Sequence, residues 1–284
     1  MKRTILTGML ALVAGATLLM AQATPPAAPA GQAAPAAPAG PHPKSAEEAT
    51  ALRALLTAEN STNADANAKA DAIVAAGEDV ITKFPSTDYK EMVLTMEAMA
   101  YEMKGDLVKE QVAWQRVLET SPKSIPGNLK MGDLITKQTH DKDLDVADEL
   151  ARAEKYLNTA LAGIKADEAD PAMAKNMAGL KQSEAEAHET LGLAGLTRAS
   201  ANKDTDPKKY DPAIAEFRAA ADGDPAEPAY QARLAWALEA AGKHAEALQV
   251  ADKVLALPNL PAAIKPIATS VHDAATRGMG SPAK

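Results

Sequence analysis

The stretch Pro228–Asn259, PAYQARLAWALEAAGKHAEALQVADKVLALPN, decides the fold. It reads as two segments on either side of a turn at Gly242-Lys243. The first carries Leu234 and Ala235, and the second carries Ala247 four residues before Ala251. That spacing stacks side chains on one face of an α-helix. Pro228 suits a first helical turn, and Pro258 ends the second segment because proline cannot continue a helix. Two helices joined by one tight turn make an antiparallel hairpin. The same sparse pattern returns in Glu91–Pro122, with Ala98, then Tyr101, Gly105-Asp106 at the turn, Trp114 and Val117, and a closing Pro122. A third unit opens at Met131-Gly132. The small residue of the first helix recurs from Ala98 to Gly132 after 34 residues, and from Gly192 to Ala235 after 43. A period in this range marks stacked helical hairpins, none of which can bury its apolar face alone.

These residues resemble the tetratricopeptide repeat (TPR) family. Its pattern sets an aromatic, Leu-Gly and Tyr on the first helix, then Ala, an aromatic and Pro on the second. Leu191-Gly192 matches the first part; Tyr210, Ala213, Phe217 and Pro225 match the second. The resemblance covers roughly Ala46 to Leu257. It departs at Glu97, where a core Leu is expected, at Glu110, where a small Ala is expected, and at the insertion Ala199–Pro207. It implies an all-α fold: a right-handed α-solenoid of about five TPR-like hairpins plus a C-terminal capping helix. It also implies a scaffold for holding protein partners.

Residues 1–23 read as a cleaved signal peptide. Lys2 and Arg3 precede the apolar run Ile5–Met20, and Ala21-Gln22-Ala23 fits a small-x-small cleavage site before Thr24. The competing reading is a retained anchor, although the run is short for a membrane span. Residues 24–44, rich in Ala and Pro, read as a disordered linker, since they offer too little apolar surface to offset the entropy of folding. Residues 45–277 form the expected repeat domain and 278–284 a disordered tail. Aromatics are only 3 % of the chain. Abundant Ala allows close helix approach and favours helix. The net charge is −8, falling to −10 once Lys2 and Arg3 leave with the signal. That balance disfavours nucleic acid and anionic membrane surfaces, so no nucleic-acid partner is expected and no membrane span once the signal is cleaved. There is no Cys, hence no disulfide framework and no lipid-bearing Cys after the signal.

Along the body, Ser45 is the expected N-cap of the first helix, with Glu47 and Glu48 in its first turn. Thr139–Asp145 is a long turn, Pro171 opens a helix reaching about Arg198, Asp211-Pro212 opens the next, and Pro261 starts the last, to about Arg277.

No set of residues supports catalysis, a cofactor or a metal. There is no Gly-x-Ser-x-Gly, no phosphate-binding Gly loop and no His-Glu-x-x-His. Asp141, Asp143 and Asp145 begin like a calcium loop, but Val146 stands where Gly is required and Arg152 where the bidentate Glu belongs. His42, His140, His188, His244 and His272 are scattered and read as solvent-exposed.

The candidate partner-binding residues are Met92, Met96, Met99, Met103, Arg233 and Trp236. The methionines are spaced i, i+4, i+7, i+11 on one helix face. By the resemblance that face lines the concave groove, where flexible Met suits varied apolar partners; the alternative is packing on a neighbouring repeat. Trp236 falls off the packing side of its helix with Arg233 three residues before it, and both types are common binding anchors. Trp114, at the family's packing aromatic, belongs to the core. TPR domains that grip a terminal carboxylate use Lys and Asn at positions filled here by Thr95, Met99, Leu129, Asp133, Glu189, Leu193, Ala232 and Trp236, so that activity is not expected. The expected function is a non-catalytic protein-binding adaptor in the bacterial cell envelope, periplasmic or secreted. The alternative is a chaperone-like holder or accessory subunit for envelope or outer-membrane protein assembly.

Overall fold

A computed structural model describes residues 40–62 and 65–280. The expected signal peptide, most of the expected Ala/Pro-rich linker and residues 281–284 lie outside it. Every regular element among the described residues is a helix. They fall in two compact units, the first ending at Pro122 and the second beginning at Lys123. The sequence expectation treated 45–277 as one domain.

The first unit holds two hairpins. Helix α1 (Ala46–Glu59) pairs with α2 (Ala66–Lys83), and α3 (Lys90–Lys104) with α4 (Leu107–Thr120). Helix α2 also packs on α3, so the order is first helix, second helix, next first helix. Local chemistry sets the ends. The Ser45 hydroxyl accepts from Glu48 N–H at 3.0 Å, and the Glu48 carboxylate accepts from Lys44 N–H at 2.6 Å. This reciprocal arrangement is close to a capping box and leaves Glu48 buried at the start of α1. Asp65 and Asp106 cap α2 and α4 through side-chain oxygens that accept from N–H groups of the first turn. Gly105, at φ 68°, closes α3 in the left-handed conformation that only glycine adopts without strain. The core gathers Leu52 and Leu55 from α1, Ile73 and Val80 from α2, and Val93, Met96 and Ala100 from α3.

Residues 40–44, assigned to the linker in the sequence, are tied to this unit. Tyr89 Oη donates to the Pro41 carbonyl at 2.8 Å, and Lys44 Nζ lies 2.8 Å from Asp88. The pairing with Lys44 holds the Asp88 carboxyl below its usual range.

The second unit repeats the plan. Helix α5 (Ile125–Gln138) pairs with α6 (Val146–Glu168), α7 (Met177–Ala201) with α8 (Asp211–Gly223), and α9 (Pro228–Ala240) with α10 (His244–Leu255); α11 (Lys265–Gly280) follows. Second helices pack on the next first helix, and α5 also touches α7, the first-on-first contact of stacked hairpins. Helix α11 packs on both α10 and α9, the place a further first helix would take. It sends Ala268, Val271 and Ala275 inward and extends three residues past Arg277, where Gly278 lies against the His244 ring.

The Thr139–Asp145 turn is as expected, closed by Asp143, which accepts from His140 N–H at 2.6 Å. Pro171 differs: it opens a short 3₁₀ segment, Pro171–Asn176, and the α-helix starts only at Met177. Asp170 caps that 3₁₀ turn. The insertion between α7 and α8 ends in a second 3₁₀ turn, Pro207–Tyr210, and Asp211-Pro212 then starts α8. Two small side chains decide how closely helices approach. A Cβ on Gly132 would stand 2.5 Å from Leu157, and one on Gly192 would stand 2.7 Å from the Phe217 ring.

Candidate protein-binding surface

The six candidate residues divide between the units, with the four methionines on α3 and Arg233 and Trp236 on α9. The methionine stripe is not an open face. Helix α3 is packed by α2 and α4, and every residue from Val93 to Ala100 is buried. Met96 and Met99 are each 8 % exposed. Met96 belongs to the hydrophobic core with Leu52 and Ile73, and Met92 and Met103 pack against that core. The packing alternative therefore describes Met92, Met96 and Met103, and Met99 shares the burial. The reason is physical: a helix flanked on both sides buries whichever face carries its longest apolar side chains.

Helix α9 is different. Tyr230, Ala232, Leu234, Ala235, Ala237 and Leu238 are buried, while Trp236 is 49 % exposed. Half in water, the indole forgoes part of the roughly 2–3 kcal/mol that full burial of a large apolar side chain is worth. One turn back, Arg233 Nε lies 2.5 Å from Glu189 Oε1 on α7. Burial pushes the Glu189 carboxyl up, Arg233 draws it down, Asp133 on α5 and Glu227 push it up, and Lys137 opposes them. Asp133 is itself paired with Lys137 at 2.6 Å. Burial likewise raises the Tyr230 hydroxyl, aided by Glu186, Glu189, Glu227 and Asp224. The first helices of the second unit thus share one electrostatic neighbourhood, in which carboxylates outnumber Arg233 and Lys137. Arg233 is held by a carboxylate on another helix, which fixes the charged neighbour one turn from the indole.

The sequence named Asp133 and Glu189 only as places where a basic clamp is missing. It missed that the carboxylates there form the ion-paired framework beside Trp236. The spacing that located the clamp positions was the available signal.

The histidines do not all lie open. His188 is half-buried, with Nδ1 2.6 Å from Glu216 on α8, a pairing that raises its pKa against the opposing effect of burial. His244 pairs with Glu239 at 2.7 Å. Among the described residues, no group of three His, Asp or Glu side chains is placed to hold a metal ion. No helix there is long and apolar enough to cross a membrane.

No protein-family model and no curated protein matches the sequence. Among solved structures, the chain is similar to a thermophilic TPR protein of Thermus thermophilus, at 17 % identity and a TM-score of 0.44, over 79 % of this chain and 98 % of that one. It is also similar to a tetratricopeptide repeat protein of Parabacteroides merdae, at 14 % identity and a TM-score of 0.41, over 82 % and 91 %. At these scores the likeness carries no weight by itself. The hairpin packing inside each unit does, and by that packing the chain is an all-α helical repeat protein of TPR-like fold.

Proposed function

We propose that this chain is a non-catalytic adaptor of the bacterial cell envelope that holds a protein or peptide partner on the α9 face of its second unit. The observation that carries the reading is Trp236, half-exposed on a helix whose other large apolar side chains are buried, beside an Arg233 already fixed by Glu189. Rigid aromatic and Arg side chains lose little entropy on binding and are the usual energetic anchors. The alternative of a holder for unfolded segments drew on the methionine stripe as an apolar lining. With Met96 and Met99 buried, the adaptor is the better supported of the two.

The test begins with crosslinking in the native envelope to identify the partner, followed by affinity measurements on purified proteins. Trp236→Ala should weaken binding by about 2 kcal/mol or more. Its unfolding midpoint should stay within about 0.5 kcal/mol of wild type, as for surface substitutions. A Trp236→Ala protein that is stable and binds at full strength removes Trp236 from the site.

Export is the second part of the proposal, resting on Lys2, Arg3, the apolar run and Ala21-Gln22-Ala23. Mass spectrometry of the native protein should find Thr24 at its N-terminus. An intact Met1 in the membrane fraction would mean a retained anchor.

A further inference from the structure

Glu97 breaks the repeat pattern at a position where a core Leu is expected, and the first unit is built around it. The residue is 0 % exposed. One carboxylate oxygen, Oε2, accepts from Arg116 Nη1 on α4 at 3.0 Å. The same Nη1 donates to Glu78 Oε1 on α2 at 2.6 Å. Space for the carboxyl comes from Gly77: a Cβ there would stand 2.6 Å from Glu97 Oε1 and 2.8 Å from its Cγ. Oε1 itself is buried with no hydrogen-bond donor. Helices α2, α3 and α4 therefore meet at one guanidinium facing two carboxyl groups.

That count leaves one negative charge too many. The Glu78 and Glu97 carboxyls both accept from the same Arg116 Nη1, so their charges face each other across one guanidinium. Ionising both sets two negative charges against one positive charge, which favours a proton on one of them. Glu97 is the one to carry it, because Glu78 and Arg116 both reach solvent while Glu97 does not.

We propose that Glu97, Glu78 and Arg116 form a proton-controlled latch between the two hairpins of the first unit, tight while Glu97 is protonated and looser once it ionises. Burial first, then the Glu78 charge, push the Glu97 carboxyl up to about 7, against the pull of Arg116. Several other charged groups along these helices are engaged elsewhere. Lys104 on α3 pairs with Asp71 on α2, Glu91 accepts from Ser121, and Glu110 sits on the Trp114 side of α4. Tyr101 on α3 acts on Arg116.

The sign follows from proton linkage. Between about 4.5, the ordinary value, and about 7, the folded unit holds a proton that the unfolded chain has released. Stability therefore falls as pH rises through that window and levels off above it. Those two values predict a roughly tenfold rise in the opening equilibrium of the first unit from pH 6 to pH 8.

The test uses the whole mature chain. A carbon-13 NMR titration of glutamate carboxyls should show one resonance with a midpoint near 7 that disappears in Glu97→Gln. Amide exchange in α2, α3 and α4, corrected for the intrinsic pH dependence of exchange, should be about tenfold less protected at pH 8 than at pH 6. Glu97→Gln, a neutral isostere, should flatten that dependence. Glu78→Gln removes the neighbouring charge and should lower the Glu97 midpoint. A wild-type Glu97 titrating near 4.5, or protection that does not change between pH 6 and pH 8, overturns the proposal, and both are read without any variant. A folded Glu97→Gln protein with undiminished pH dependence also overturns it.

Discussion

Trp114→Ala should destabilise the first unit by about 3–5 kcal/mol, the range for truncating a large buried aromatic. Trp114 is fully buried at the centre of α4, flanked by Ala113 and Val117, and is the largest of the fully buried side chains. Removing it leaves a cavity that packed helices cannot fully collapse into. One feature moderates the cost: the indole Nε1–H has no acceptor among the described residues, so Trp114 already carries an unsatisfied donor. Trp114→Phe removes that donor along with part of the volume and should therefore cost much less than Trp114→Ala. The chain has two tryptophans, one in each unit, which makes the measurement selective. In Trp236→Ala all tryptophan fluorescence reports the first unit; in Trp114→Ala it reports the second. Urea titrations of both variants, read by fluorescence and by circular dichroism, should place the large loss on Trp114 alone. Equal midpoints for the two would mean that Trp114 is not a core residue.

The second large effect lies in the α7–α8 hairpin. Phe217 is fully buried, and its ring lies against the bare backbone of Gly192. Phe217→Ala should cost about 3–5 kcal/mol. Gly192→Leu should cost about 1–3 kcal/mol or more, because its Cβ alone would come within 2.7 Å of the ring. The two changes should not add. In the double variant the new Leu enters the volume the ring has left, so the combined loss should be smaller than the sum by about 1 kcal/mol or more. Strict additivity in chemical denaturation would show that the two sites do not touch.

Much of this fold is legible in the sequence because its signals are local. Pro228, Gly242 and Asp211-Pro212 act through their own backbone geometry and Ser45 through its hydroxyl, and each marks a helix end where expected. Gly192 and Phe217 each matched the repeat pattern, one on each helix of the hairpin, and they touch. What the sequence hid depends on neighbours distant along the chain. The spacing of Met92, Met96, Met99 and Met103 fixes a common face but says nothing of what covers it. Glu97 looked like a defect, since Gly77, Glu78 and Arg116 lie on two other helices and no periodicity links them. Arg233 and Trp236 were read from α9 alone; Glu189, which holds Arg233, comes from α7. Pro171 was read as a helix start, which proline permits, but the difference between a 3₁₀ turn and an α-helix rests on hydrogen bonds farther along.

Helix α11 has a consequence for assembly. A stack of hairpins grows by laying one first helix on the last pair, and that contact is heterologous: the two surfaces differ, so it has no two-fold axis to close it. An uncovered α9–α10 end would offer Leu238, Ala247, Ala251 and Val254 to the leading helix of another copy, and nothing in the geometry would stop the addition at two. Helix α11 occupies that place with Ala268, Val271 and Ala275 and turns Thr269, Asp273 and Thr276 to water. It is a chain terminator in the polymer sense, a counterfeit next repeat that fills the place where another copy's leading helix would add.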